Sequence, residues 1–200
     1  MFYSLKGKLI YKSENEIAIE CSGVGYKCFV TMNTVANLPA EGNEVMVYTH
    51  LNVREDAMDL FGFYGKEELN CFKMLTSVSG VGAKMGIAIL SSLSPNQIAT
   101  AIASEDYKTL TVVPGVGNKL AQRIVLELRD KIGKVSESML ENLGGTKNAV
   151  KSPNIQKAAN ALSVLGYSQA EAMKALSTLD DNQKVEDLIK GALKIISSKV

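Results

Sequence analysis

The residues best placed to do chemistry in this chain occur twice. Leu75–Leu90 reads LTSVSGVGAKMGIAIL and Leu110–Val125 reads LTVVPGVGNKLAQRIV, 35 positions apart, ungapped, with eight of sixteen residues identical. Such a repeat marks a duplicated structural unit. Each copy is a Gly-Val-Gly corner opening an amphipathic helix, with a lysine two residues after the second glycine: Gly80-Val81-Gly82 with Lys84, and Gly115-Val116-Gly117 with Lys119. Glycines permit positive φ and close approach by another chain. The helix that follows starts with unsatisfied N–H groups and partial positive charge. The corner therefore offers donors to a phosphate, and the lysine adds a full charge beside them. No side chain in the pattern reads a base edge, so the binding it implies is indifferent to base sequence. One copy could equally be a connection between packed helices; two copies that both keep the lysine favour phosphate binding.

Other glycine-loop chemistries fail on spacing. A dinucleotide fingerprint needs G-x-G-x-x-G after a buried strand; Gly80, Gly82 and Gly86 miss it by one residue, and Gly115–Gly117 has no third glycine. No G-x-x-x-x-G-K-[ST] phosphate loop occurs, so ATP hydrolysis would have to come from another protein. His50 has no acidic or serine neighbour in the sequence to make it catalytic. Cys21, Cys28 and Cys71 follow no zinc spacing and are odd in number, which fits reduced thiols in the cytoplasm. The stretch Val53-Arg54-Glu55-Asp56-Ala57 reads, from residues alone, as a polar hairpin tip. A divalent-cation site joined by Asp59 is the weaker alternative.

These residues need a scaffold. Short alternating or apolar runs at Leu5–Lys12, Glu16–Cys21, Tyr26–Met32, Glu44–Val53 and Ala57–Phe63 predict five strands in residues 1–64, a small OB-type barrel. Gly23-Val24-Gly25 precedes a β-branched and aromatic segment and reads as a β-turn. From Gly65 the period becomes helical, at Lys66–Ser77, Lys84–Leu93, Asn96–Ala103, Asp106–Leu110 and Lys119–Ile132. Residues 65–133 thus form two helix–hairpin–helix units, with Lys119, Arg123 and Arg129 toward one side of the last helix. Residues 134–153, rich in Gly, Ser and Asn, read as a flexible linker. Residues 154–200 read as three short helices, the second opened by a Ser168/Glu171 capping box. The fold class is α+β multidomain: barrel, tandem helix–hairpin–helix domain, and a three-helix (UBA-like) domain of docking-module size.

Net charge is only +1, but residues 1–64 carry −3, residues 73–134 carry +4 and the tail from 146 carries +3. A basic middle beside an acidic front fits a local phosphate-binding face. No apolar run approaches the roughly 18 residues that span a bilayer, and the first residues show no secretory signal. Helix–hairpin–helix units also serve glycosylases and nucleases, but no lysine-and-aspartate pocket or carboxylate–histidine cluster follows the second corner. An adaptor whose tail is its main function remains an alternative.

The order of parts resembles the RuvA family, the bacterial subunits that bind Holliday junctions for branch migration. The residues that carry the likeness are Val53-Arg54-Glu55-Asp56, Leu60-Phe61-Gly62-Phe63 and the paired GVGxK corners. The resemblance implies a non-catalytic DNA-binding subunit acting in recombination and repair; no cofactor is expected and no metal ligand is assigned, a metal ion at Glu55 and Asp56 being left open. It implies four-fold homotetramers, single or paired into octamers, holding a square-planar junction, with RuvB as the partner ATPase and RuvC resolvase as a further partner. Gly80, Val81, Gly82, Lys84, Gly115, Val116, Gly117, Lys119 and Arg123 would grip DNA backbones. Glu55 and Asp56, with Arg54, would form an acidic pin at the junction centre. Leu162, Leu165, Tyr167 and Leu193 would bind the motor. Asn118 stands where relatives often carry a further lysine, which implies weaker binding at the second corner.

Overall fold

The computed structural model describes residues 2–142 and 152–197, which fall into two compact units, Met1–Ser94 and Pro95–Val200. Among the described residues no helix is long and apolar enough to cross a membrane.

The first unit is built on a closed barrel in the order β1-β2-β3-β5-β4, from β1 (Ser4–Lys12), β2 (Glu16–Cys21), β3 (Val24–Val30), β4 (Glu44–Val53) and β5 (Met58–Phe63). All pairs are antiparallel except β3 and β5, whose short parallel pairing closes the barrel. Alternating residues fill the interior: Leu5 and Leu9 from β1, Ile17 and Ile19 from β2, Cys28 and Val30 from β3, Val45 and Val47 from β4. A register shift between Leu9 and Tyr11 bends β1 so that it can pair with both β2 and β4. Ser22 and Gly23, both at positive φ, make the β2–β3 turn, so the predicted glycine-rich turn lies there and Val24 already belongs to β3.

One element departs from the expected strands. Met32, expected to end β3, instead starts a short helix, α1 (Met32–Asn37), capped by the Thr31 hydroxyl accepting from the Thr34 N–H. Its stabilising partner is remote. Glu68, 3% exposed, accepts hydrogen bonds from the hydroxyls of Thr31 (2.5 Å) and Thr34 (2.6 Å) and from the Asn33 amide (3.2 Å). A buried carboxylate is tolerated only when its lone pairs are met in this way.

Glu68 lies on α2 (Lys66–Thr76), which is followed by α3 (Ala83–Ser92). The ring of Phe72 on α2 packs against Phe61 (5.3 Å) and Phe63 (4.9 Å) of β5 and His50 (5.3 Å) of β4. This aromatic cluster, with Gly86 of α3 packed against the Phe72 ring, joins α2 and α3 to the barrel in one unit, whereas the sequence reading divides the chain after residue 64 and places both helices in a 65–133 domain.

The second unit holds α4 (Pro95–Ala103), α5 (Tyr107–Leu110), α6 (Asn118–Asn142), α7 (Pro153–Val164), α8 (Gln169–Leu176) and α9 (Val185–Ser197). Pro95 opens α4, as its fixed φ favours. Helix α6 continues to Asn142, so residues 134–142, read as the start of a linker, are helical; 143–151 lie outside the described residues. The capping box of α8 is complete: Ser168 accepts from the Glu171 N–H, and Glu171 accepts from the Ser168 N–H. Leu162, Leu165, Leu176, Leu188 and Ile189 form the apolar interior of α7–α9.

Candidate nucleic-acid interface

The two repeated corners adopt the same local structure. In each, a four-residue turn is closed by one backbone hydrogen bond: Val81 N–H to the Val78 carbonyl and Val116 N–H to the Val113 carbonyl, both 3.0 Å. The third turn residue is Gly80 (φ +91°) or Gly115 (φ +87°). That pattern is a type II turn, where positive φ at the third position favours glycine. Buried positions match pair by pair: Leu75 with Leu110, Val78 with Val113, Val81 with Val116 and Ile89 with Ile124. Gly86, where a Cβ would press on the Phe72 ring at 3.1 Å, corresponds to buried Ala121.

This assigns different roles to the residues grouped together from sequence. Val81 and Val116 are each 4% exposed and spend their N–H groups closing the turn, so they brace the corner and do not offer donors. The second glycines differ again. Gly82 has an ordinary φ of −79°, and an added Cβ would meet nothing within 4 Å at either Gly82 or Gly117. Neither backbone strain nor internal packing calls for glycine there; a bare backbone does leave room for something outside the chain. Gly82 also caps α3 without any side-chain hydrogen bond, so the first-turn N–H groups of that helix stay available. Lys84 and Lys119 are exposed, and neither forms an ion pair among the described residues. Arg123 is exposed one turn beyond Lys119. Arg129 is committed elsewhere, paired with Glu105 at 2.6 Å.

In the first unit the corner faces the barrel across a cleft of about 550 Å³. Gly82 and Lys84 form one side, with His50, Asn52, Arg54 and Asp59 of the β4–β5 pair on the other. Arg54 is joined to Asp59 at 2.9 Å. Between them the Arg54 N–H bonds the Ala57 carbonyl at 2.8 Å, leaving Glu55 and Asp56 exposed at the tip of the hairpin. Among the described residues no group of three or more His, Cys, Asp or Glu side chains could hold a metal ion. Sequence reasoning set His50 aside and did not single out Asn52. The available signal was the alternation of residues 50 and 52, which puts them on one face of β4.

The four positions assigned to motor binding divide. Leu162 and Leu165 are 0% and 1% exposed and belong to the interior of the three-helix bundle. Tyr167 and Leu193 are half-buried and reach the surface.

Comparison with known proteins covers the chain in three consecutive pieces. Residues 1–62 match the RuvA N terminal domain, residues 72–130 a SAM-like helix-hairpin-helix tandem, and residues 155–197 the RuvA C-terminal domain. The chain is 45% identical over 197 residues to the Holliday junction branch migration complex subunit RuvA of Acetivibrio thermocellus, covering 97% of this chain and 98% of that one. It is 42% identical to the proteins of the same name from Ruminiclostridium cellulolyticum (97% and 99% covered) and Laribacter hongkongensis (98% and 99%). With barrel, tandem corners and tail matched in order and along nearly its whole length, the chain belongs to the RuvA family.

Proposed function

We propose that this chain binds four-way DNA junctions without base-sequence preference, as a homotetramer, holding the arms open and square-planar and recruiting a separate ATPase, RuvB, for branch migration. It performs no catalysis itself and works in the cytoplasm. The observation that carries the reading is the pair Gly82 and Gly117. At both sites neither internal packing nor a positive φ requires glycine, yet a Cβ is missing beside an unpaired lysine. A sugar-phosphate backbone lying against the corner would use that space, with helix amides and the lysine as its ligands. Glu55 and Asp56 are suited to the junction centre, where exposed carboxylates repel converging phosphate chains and steer the strands outward into the arms.

The test is a titration of labelled four-way junction against linear duplex of equal length, with and without Mg²⁺, over a range of salt. Preference for the junction is expected. Lys84→Ala and Lys119→Ala should each flatten the salt dependence by about one unit of slope. Equal affinity for junction and duplex, with unchanged slopes in both variants, would overturn the reading. Cleavage of the junction would do the same.

A further inference from the structure

His50 and Asn52 alternate along β4 and so project to the same side of it, and Arg54 follows directly after the strand. In the β4–β5 register His50 stands opposite Phe61 and Asn52 opposite Asp59. Their side chains face the GVG corner across the cleft, in which Arg54 and Lys84 are the permanent cations and Asp59 the one carboxylate. Arg54 is largely answered by Asp59, so the excess positive charge resides at Lys84 and the amide end of α3. We propose that this cleft seats one backbone phosphodiester of a DNA arm, bound from the hairpin side by Lys84 and the α3 amides and from the barrel side by His50 and Asn52. The inference rests on the DNA-backbone reading above and extends it from the helical corner to the barrel wall.

The barrel wall supplies donors of the right kind. The Asn52 amide carries two N–H groups. The Nδ1 atom of His50 is buried without a hydrogen-bond partner. Burying an unpaired N–H is the costlier arrangement, so the neutral ring keeps its lone pair at Nδ1 and its proton at Nε2. The ring is held edge-on to Phe72, which fixes its plane while it lines the cleft. The charged groups around it are Lys73 from α2, Arg54 and Asp59 from the hairpin, and Lys84 from α3. Burial and Lys73 favour the neutral ring in the free protein. An arriving phosphodiester accepts the Nε2–H of the neutral ring; a second proton would put an N–H on the buried, partnerless Nδ1, so the ring donates in its neutral form.

The experiment is junction binding by the full-length protein, followed by fluorescence anisotropy at about pH 6 and about pH 8, on either side of the imidazole range. Thermal melts of each variant run alongside. Asn52→Ala and His50→Gln should each weaken binding by about three- to tenfold, the scale of one lost hydrogen bond. The loss in His50→Gln should be present in full at about pH 8, where the ring is neutral and its Nε2–H is the donor. Should His50→Gln fail to fold, Asn52→Ala decides alone by the same criterion. If Asn52→Ala and a folded His50→Gln bind like wild type while Lys84→Ala is weakened, the barrel-side subsite is overturned and the hairpin reading stands. If Lys84→Ala and Lys119→Ala also bind like wild type, the DNA-backbone reading itself falls and the subsite with it.

Discussion

Arg54 reaches back across the β4–β5 hairpin to pair with Asp59 at 2.9 Å, while Glu55 and Asp56 on the turn between them stand exposed and form no ion pair among the described residues. The hairpin thus neutralises its base and leaves its tip negative. That separation is what a repulsive pin requires. A tip whose carboxylates were already answered by the neighbouring arginine would not repel phosphate.

Exchanging both tip residues, Glu55→Lys with Asp56→Lys, should therefore tighten junction binding and alter the arrangement of the arms. Affinity and inter-arm energy transfer measured on the same labelled junction check this. Unchanged arm geometry would show that the tip lies away from the crossover. Stability should change little, because exposed charges contribute only about 0–1 kcal/mol each.

The two glycines of one corner should separate folding from binding. Gly80→Ala forces a Cβ onto a residue at φ +91° and should cost about 1–2 kcal/mol in a denaturant melt. Gly82→Ala has open space and an ordinary φ, so it should cost under about 1 kcal/mol, the scale of a lost glycine cap. Its junction affinity should nevertheless drop several-fold, because the new methyl group occupies the approach to the α3 amides. Equal affinity for wild type and Gly82→Ala would mean that no backbone comes that close.

His50 should also leave a mark on stability in the absence of DNA. Its folded-state pKa lies below the ordinary 6.5, first through burial and then through the nearby charge of Lys73. As pH falls, the unfolded chain therefore takes up the proton first. Stability contributed by the neutral ring is complete above 6.5, is lost as pH falls from there toward the folded-state value, and is level below it. Urea midpoints of wild type and His50→Gln should accordingly converge as pH is lowered through this window. A constant difference between them would show that the ring titrates alike in both states.

How much of this was readable in the residues depends on sequence distance. The corners, the Pro95 start and the Ser168/Glu171 capping box are local patterns, and each appears in the structure where its spacing put it. Helix α1 was missed because six residues carry little periodicity and its anchor, Glu68, lies more than thirty positions downstream. The cleft was missed for the same reason: His50 and Asn52 acquire meaning only when β4 is set beside Lys84. The valines of the GVG corners were grouped with the binding residues because spacing cannot tell an N–H that closes a turn from one left open.

The tail shows the same limit and yields a test of its own. Helical spacing marks Leu162 and Leu165 as apolar but does not say whether that face meets neighbouring helices or a partner; the structure puts both in the interior of α7–α9. Leu162→Ala should therefore unfold or strongly weaken the three-helix unit, at about 2–5 kcal/mol. Any loss of motor binding in that variant would be indirect. Tyr167→Ala and Leu193→Ala alter half-buried side chains at the surface and should leave the helical content intact. If the tail recruits the motor through this patch, both should weaken RuvB association in a pull-down or by calorimetry while junction binding persists. Full association with both variants would place the docking surface elsewhere on the tail.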